Sequence, residues 1–465
     1  MASSSENENE GGNVHLLVLV HGMWGNPGHL KGLHKAMSEL RCQSTSEVGP
    51  AGEKLEILLA QTNRDEYTYD GIDWGGERVA EEIYEEIKRL EDAGKKVTRF
   101  SITGYSLGGL VSRYVVGILY QRKFFDNVTP VNFNTFATPH IGLPRYRTFL
   151  SSLTQYLGPK LLSRTGEQFY GVDKWSARGR TLLEVMADPD RVFYQALCSF
   201  EQLRIYANAV NDQTVPYPAA AIEADDPFYN HMTNGIEIEL DEEYAPLIKS
   251  YKLPDTPPVL PPAPKPLTLE WVRKFKLPLP PPLQFKFPYN ILFYIATPLI
   301  LPLFFILVLS RLSLASSASR KRIRLMEKDT SAVDRLVHVI AKLERGVEDA
   351  VADMMDEPGS SPAVRTPSSE PDILSSSPEL GLMGTEAKDV PREEVPAPPR
   401  HLILTDLQLK LVRLLNTLPK LKKERAFIPS VRNAHGVLIC RDTQVFAFHK
   451  LGEGALRHWA YHFIM

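Results

Sequence analysis

The pentapeptide Gly104-Tyr105-Ser106-Leu107-Gly108 constrains the fold of this chain more than any other feature. A serine flanked by glycines, set directly between a β-branched run and a helical run, demands a sharp strand-to-helix turn in which neighbouring backbone approaches closely. The run before it is VTRFSIT (Val97 to Thr103), and the run after it, Gly109 to Tyr120, is helix-compatible. Four further apolar runs have the same strand character: Val14 to Val20, Lys54 to Ala60, Val131 to Ala137 and Leu203 to Val210. Between the second and third of these five strands, Val79, Ile83, Ile87 and Leu90 recur at helical spacing among Glu and Lys, which places an amphipathic helix on the sheet. The expected fold class is α/β, with a mostly parallel sheet.

A serine at such a turn projects from the top of the sheet, and the following helix N-terminus favours developing negative charge. Ser106 is therefore the candidate nucleophile, with the Leu107 backbone N–H as one candidate oxyanion donor. The segment His21-Gly22-Met23-Trp24-Gly25 follows the first strand, where such folds carry a second donor, and the Met23 N–H is assigned to it. His21 itself reads as a hydrogen-bonded loop residue. Asp212 directly follows the strand Leu203 to Val210, in the chain order serine, acid, histidine; it also suits an Asx-turn closing that loop. For the histidine, His435 in Asn433-Ala434-His435-Gly436, just before the strand-like VLIC, is preferred, with His231 in FYNHM as the alternative. His140 lies too early in the chain for this order and reads as a loop anchor, and His458 lies in an amphipathic stretch where packing explains it.

These motifs together resemble a known family. HGMWGNPGHL, GYSLGGLVSRYVVG, FATPHIGLP, NDQTVPY and the terminal NAHGVL and GEGALRHW elements are similar to those of the fungal serine esterase family, which includes ROG-type lipases and lipid-droplet phospholipases. The resemblance covers about Val14 to Asp212 and the stretch from Phe427 onward. It implies an α/β-hydrolase fold, a Ser106-Asp212-His435 relay and hydrolysis of glycerolipid esters, phospholipids foremost, without a cofactor. Acyl transfer to an alcohol on the same fold, or a catalytically silent membrane scaffold, remain the alternative expectations.

The rest of the chain organises around this core. Residues 1–13 are polar and acidic and read as disordered, and 14–250 form the main part of the catalytic core. Residues 251–290 are rich in proline, which is excluded from helix interiors and central strands, and form a linker. Ile291 to Ser310 contains no charged residue and is long enough, at roughly 20 residues, to span a bilayer. Pro298 and Pro302 lie in its middle, and Lys and Arg flank both ends, which favours a cytosolic location for both ends. A re-entrant hairpin satisfies this pattern and is the expectation; the alternative, a tilted, proline-kinked transmembrane helix, would separate His435 from Ser106 and promote His231. Residues 311–355 read as charged helix, 356–400 as a disordered insert, and 401–465 as the C-terminal part of the core.

The expected partners are a lipid substrate and a membrane or lipid-droplet surface. A formal net charge of −3 and a pI near 6.5 give no electrostatic footprint for nucleic acid. The expected location is the cytosolic face of a lipid droplet or endoplasmic reticulum membrane. Three widely spaced cysteines suggest neither a disulfide framework nor a metal site.

Overall fold

The computed structural model describes residues 12–41, 49–147, 149–176, 178–256, 258, 289–328 and 402–465. Residues 1–11, nearly all of the proline-rich linker, and residues 329–401, including the insert at 356–400, lie outside the described residues.

All five expected strands form and enter one sheet. They are β1 (Asn13–Val20), β2 (Lys54–Leu59), β3 (Lys96–Tyr105), β4 (Thr129–Phe136) and, after the short β5 (Arg145–Tyr146), β6 (Gln202–Asn208). An outlying hairpin, β7 (Glu237–Leu240) with β8 (Ile248–Lys252), follows. β9 (Leu402–Ile403) pairs with β5, and β10 (Leu421–Ala426) adds the sixth strand of the main sheet. The sheet order is β10-β6-β4-β3-β1-β2, and every pairing within it is parallel. This is the α/β arrangement that the sequence pattern implies.

β1 shows why both sheet faces are covered. Successive strand side chains point to opposite faces, so Leu16, Val18 and Val20 enter the core beneath α2 (Ile72–Asp92) and α3 (Leu107–Gln121). Leu17 and Leu19 enter a second core with α1 (Lys31–Arg41) and the C-terminal helix Glu453–Tyr461. Between β4 and β6 the chain forms α4 (Phe149–Leu161), α5 (Ser163–Phe169), α6 (Leu182–Ala187) and α7 (Val192–Ser199).

Three expectations are corrected. VLIC (Val437 to Cys440) is not a strand: it is a buried series of turns. The strand in this region is the polar LKKERA of β10, whose Lys423 and Glu424 pair with Glu223 and Arg204. The re-entrant hairpin is also absent. Tyr289–Lys328 is one continuous helix that contains Pro298 and Pro302. Its side chains from Leu299 to Leu307 are exposed, whereas Ser316 donates to the Lys160 carbonyl (3.0 Å) and Ser319 to Asp70 (2.6 Å). A continuous helix therefore does not part His435 from Ser106, because its C-terminal half returns to the domain that holds both.

Helix α3 meets α7 where Gly117 faces Phe193. A Cβ at Gly117 would lie 2.2 Å from the Phe193 ring, which is itself packed against Tyr114 and Trp175. The gain in helix propensity from alanine, about 1 kcal/mol, is smaller than an overpacking cost of about 1–3 kcal/mol. Gly117→Ala is accordingly expected to lower the midpoint of urea unfolding with an unchanged slope.

Candidate active site

Ser106 sits between β3 and α3 with φ 56° and ψ −125°, a left-handed backbone that costs a non-glycine residue energy. Its neighbours must be small. A Cβ at Gly104 would stand 2.4 Å from the Gly109 Cα, and one at Gly108 would stand 2.2 Å from the Val20 carbonyl oxygen. The Ser106 N–H donates to the Phe136 carbonyl at 2.8 Å, tying the turn to the neighbouring strand. The side chain is buried among its partners.

Asp212 lies in the loop after β6 and accepts four hydrogen bonds. Oδ1 receives the Thr214 and Val215 N–H groups (2.9 and 2.8 Å), while Oδ2 receives Asn208 Nδ2 and His435 Nδ1 (both 2.9 Å). The Asx-turn and the pairing with histidine therefore coexist, one oxygen serving each. Burial alone would raise the pKa of this carboxyl, but the facing His435 and the hydrogen bonds outweigh it and hold the value below the ordinary one.

His435 completes the line, with Nε2 at 3.1 Å from Ser106 Oγ. If Ser106 donates to Nε2, the ring's proton is on Nδ1 and donates to Asp212, so one tautomer satisfies both contacts. Its loop is pinned to the aspartate loop: the Ala434 N–H donates to the Asn211 carbonyl (2.8 Å), and Asn211 Nδ2 to the carbonyls of Ile428 and Pro429. Tyr105 supports the ring from beneath at 5.1 Å and donates its hydroxyl to the His435 carbonyl.

The other histidines are engaged elsewhere. His231 Nδ1 contacts the Phe228 carbonyl and its ring packs edge-on against Phe427, so the structure does not bring it to Ser106. His21 Nδ1 bonds the Gly22 carbonyl, and His140 Nε2 bonds Thr135 Oγ1; burial lowers the pKa of both. Met23 and Leu107 both lie on the turns that enclose Ser106, and a Cβ on the adjacent Gly22 would be 2.7 Å from the Ser106 Cβ. Sequence reasoning missed Asn208 and Tyr105 as supports. The only signal for Asn208 is its place at the end of β6, four residues before Asp212. Among the described residues no group of three or more His, Cys, Asp or Glu side chains forms a metal-binding cluster.

His458 is buried and bonds the Tyr206 hydroxyl through Nδ1 (3.0 Å), and burial drives its pKa from 6.5 down to about 3. Below pH 6.5 the unfolded chain therefore takes up a proton that the folded chain refuses, so this residue makes stability fall as pH drops from about 6.5 toward 3. His458→Gln is expected to show a smaller loss of urea stability than the wild type between pH 7 and pH 4.5.

Comparison with known proteins adds a second line of observation. Residues 10–222 match the model of a family described as "Putative serine esterase (DUF676)". A putative lipase of Schizosaccharomyces pombe is 29% identical over 247 residues, covering 50% of this chain and 30% of that protein. Putative lipase ROG1 of Saccharomyces cerevisiae is 27% identical over 253 residues, covering 52% and 33% respectively. The matched region is thus about a third of the length of these curated relatives. Among solved structures, phospholipase PlaB from Legionella pneumophila aligns over 43% of this chain and 38% of its own, with 12% identity and a TM-score of 0.29.

Proposed function

Residues 10–222 of this chain belong to the DUF676 putative serine esterase family, and from that premise we propose that the protein is a serine hydrolase of glycerolipid esters acting at a lipid surface. The observation that carries this reading is the unbroken hydrogen-bonded line Asp212, His435, Ser106. In it, His435 removes the Ser106 proton as Oγ attacks the acyl carbonyl, and Asp212 stabilises the imidazolium that results. The N–H groups of Met23 and Leu107 receive the oxyanion. His435 then protonates the leaving alcohol, and a water activated by the same ring releases the fatty acid.

The lipid part of the proposal is supported by the relatives, which are named lipases, and by the apolar helix. Between Pro298 and Lys328 this helix reaches a mean hydropathy of 2.1 and is mostly exposed. A run of exposed apolar side chains from Leu299 to Leu307 fits insertion into lipid. The basic residues that follow, Arg311, Arg320, Lys321 and Arg324, suit the anionic headgroups of phospholipids, which we place first among substrates. Because β8 before the helix and β10 after it both belong to the catalytic domain, the helix enters the lipid from the side on which the active site lies.

Fatty-acid release from phospholipid vesicles and triacylglycerol emulsions tests the reading. Ser106→Ala is expected to abolish release, and Asp212→Asn to lower kcat by roughly 10⁴-fold through the wrong histidine tautomer. Equal release by wild type and Ser106→Ala would reject it.

Membrane attachment is tested separately. The triple substitution Leu303→Ser, Phe304→Ser, Ile306→Ser removes three exposed apolar groups, each contributing about 1.5–3 kcal/mol when buried in lipid. In vesicle flotation this variant is expected to leave the lipid fraction.

A further inference from the structure

The apolar helix is fastened to the domain through one buried carboxylate. Asp70 has no exposed surface, yet it accepts from Ser319 Oγ (2.6 Å) and from Arg322 (2.8 Å) on the helix. It also accepts from Arg78 on α2 (3.0 Å). A buried carboxylate stripped of such partners is strongly destabilising, so Asp70 and this face of the helix hold each other in place. Arg322 reaches further, donating to the Glu66 carbonyl (3.0 Å) and lying over the Tyr67 ring (4.8 Å).

The segment so gripped, the 3-10 turn Asp65–Tyr69, is bonded on its other side to the loop that follows β1. The Trp24 N–H donates to Thr68 Oγ1 (3.2 Å), the Trp24 indole N–H to the Tyr69 hydroxyl (2.8 Å), and the Asp65 N–H to the Gly25 carbonyl (2.9 Å). Trp24 and Asp65 both have φ 52°, unfavourable for side chains with a Cβ and sustained only by the bonds around them. Trp24 directly follows Met23, so a shift of the 3-10 turn moves the peptide next to the Met23 N–H.

We propose that Asp70, Ser319 and Arg322 form a clamp through which the lipid-inserted helix sets the position of the Met23 N–H, making them positioning residues for ester hydrolysis. The proposal rests on the reading of Ser106 as nucleophile and Met23 as oxyanion donor. The clamp acts on the chemical step rather than on lipid binding: it touches the 3-10 turn, which in turn bonds the loop carrying Met23, while the apolar side chains from Leu299 to Leu307 lie elsewhere on the helix.

The test uses the full chain in phospholipid vesicles, with p-nitrophenyl butyrate as a soluble ester. Arg322→Gln cuts the path at the helix, and Tyr69→Phe cuts it at the Trp24 indole. Each is expected to lower kcat about tenfold with little change in KM, since misplacing a catalytic group by about 1 Å costs up to about 100-fold. Vesicle flotation should stay close to wild type for both; Arg322→Gln, which removes a charge facing buried Asp70, should also lower the unfolding midpoint, whereas Tyr69→Phe should leave it close to wild type, and Arg322→Lys should recover most of the rate. Because both substitutions act on one path, the double variant should be no slower than the worse single variant. Wild-type kcat in Arg322→Gln, or losses that multiply in the double variant, would overturn the clamp. Absence of Ser106-dependent turnover and of fluorophosphonate labelling in the wild type would instead remove the hydrolase reading and the clamp with it.

Discussion

The strained backbone of Ser106 is the constraint around which the rest of the structure is arranged. At φ 56° the serine is held by what surrounds it: β1 ends against Gly108, Gly104 lies against Gly109, and Phe136 on β4 accepts the Ser106 N–H. Each of these contacts requires a buried parallel sheet with a helix starting directly at its edge. The apolar content of β1, β3 and β4 is therefore more than filler for the core, because it keeps the strands in the register that closes this turn.

The second requirement is to bring a residue 329 positions later in the chain to 3.1 Å from Ser106 Oγ. The edge strand β10 does this by pairing in parallel with β6, from Leu421 beside Leu203 to Ala426 beside Asn208. The two strands end together, so the loops that follow them, one carrying Asp212 and the other His435, leave the sheet side by side. Asn211 and Asn433 then lace the two loops, through Ala434, Ile428, Pro429 and Gln213. The relative placement of acid and histidine is thus set by backbone pairing and amide side chains before the imidazole makes any contact.

Most of the sheet was legible because central parallel strands are apolar on both faces, and VHLLVLV or VTRFSIT can hardly be anything else. The elbow was legible because glycine spacing reports backbone geometry directly. β10 was not, because an edge strand pairs on one side only and carries charge: Lys423, Glu424 and Arg425 read as surface but are bound to Glu223, Arg204 and Tyr217. VLIC misled for the opposite reason, since an apolar run buried in turns has the composition of a strand. The short Asn433-Ala434-His435-Gly436 loop put His435 ahead of His231 as a candidate, while the supports Tyr105 and Asn208 and the hub Asp70 depend on tertiary contacts that no local pattern encodes.

The path of the apolar helix resolves what the sequence posed as a conflict. An apolar run between Ser106 and His435 threatens to part them only if the chain continues away from the domain after leaving the lipid. Here the helix runs the other way. Its exposed apolar part precedes the residues that dock, and from Ser316 to Glu327 it binds α4, Asp70 and Arg164. β10, later in the chain, pairs with β6 of that same domain. Burial of Asp70 makes that docking energetically important, because Arg322 on the helix joins Arg78 in compensating its charge. The same electrostatic pairing that seats the helix belongs to the domain that holds Ser106, Asp212 and His435, so the exposed apolar element and that hydrogen-bonded line depend on one folded arrangement.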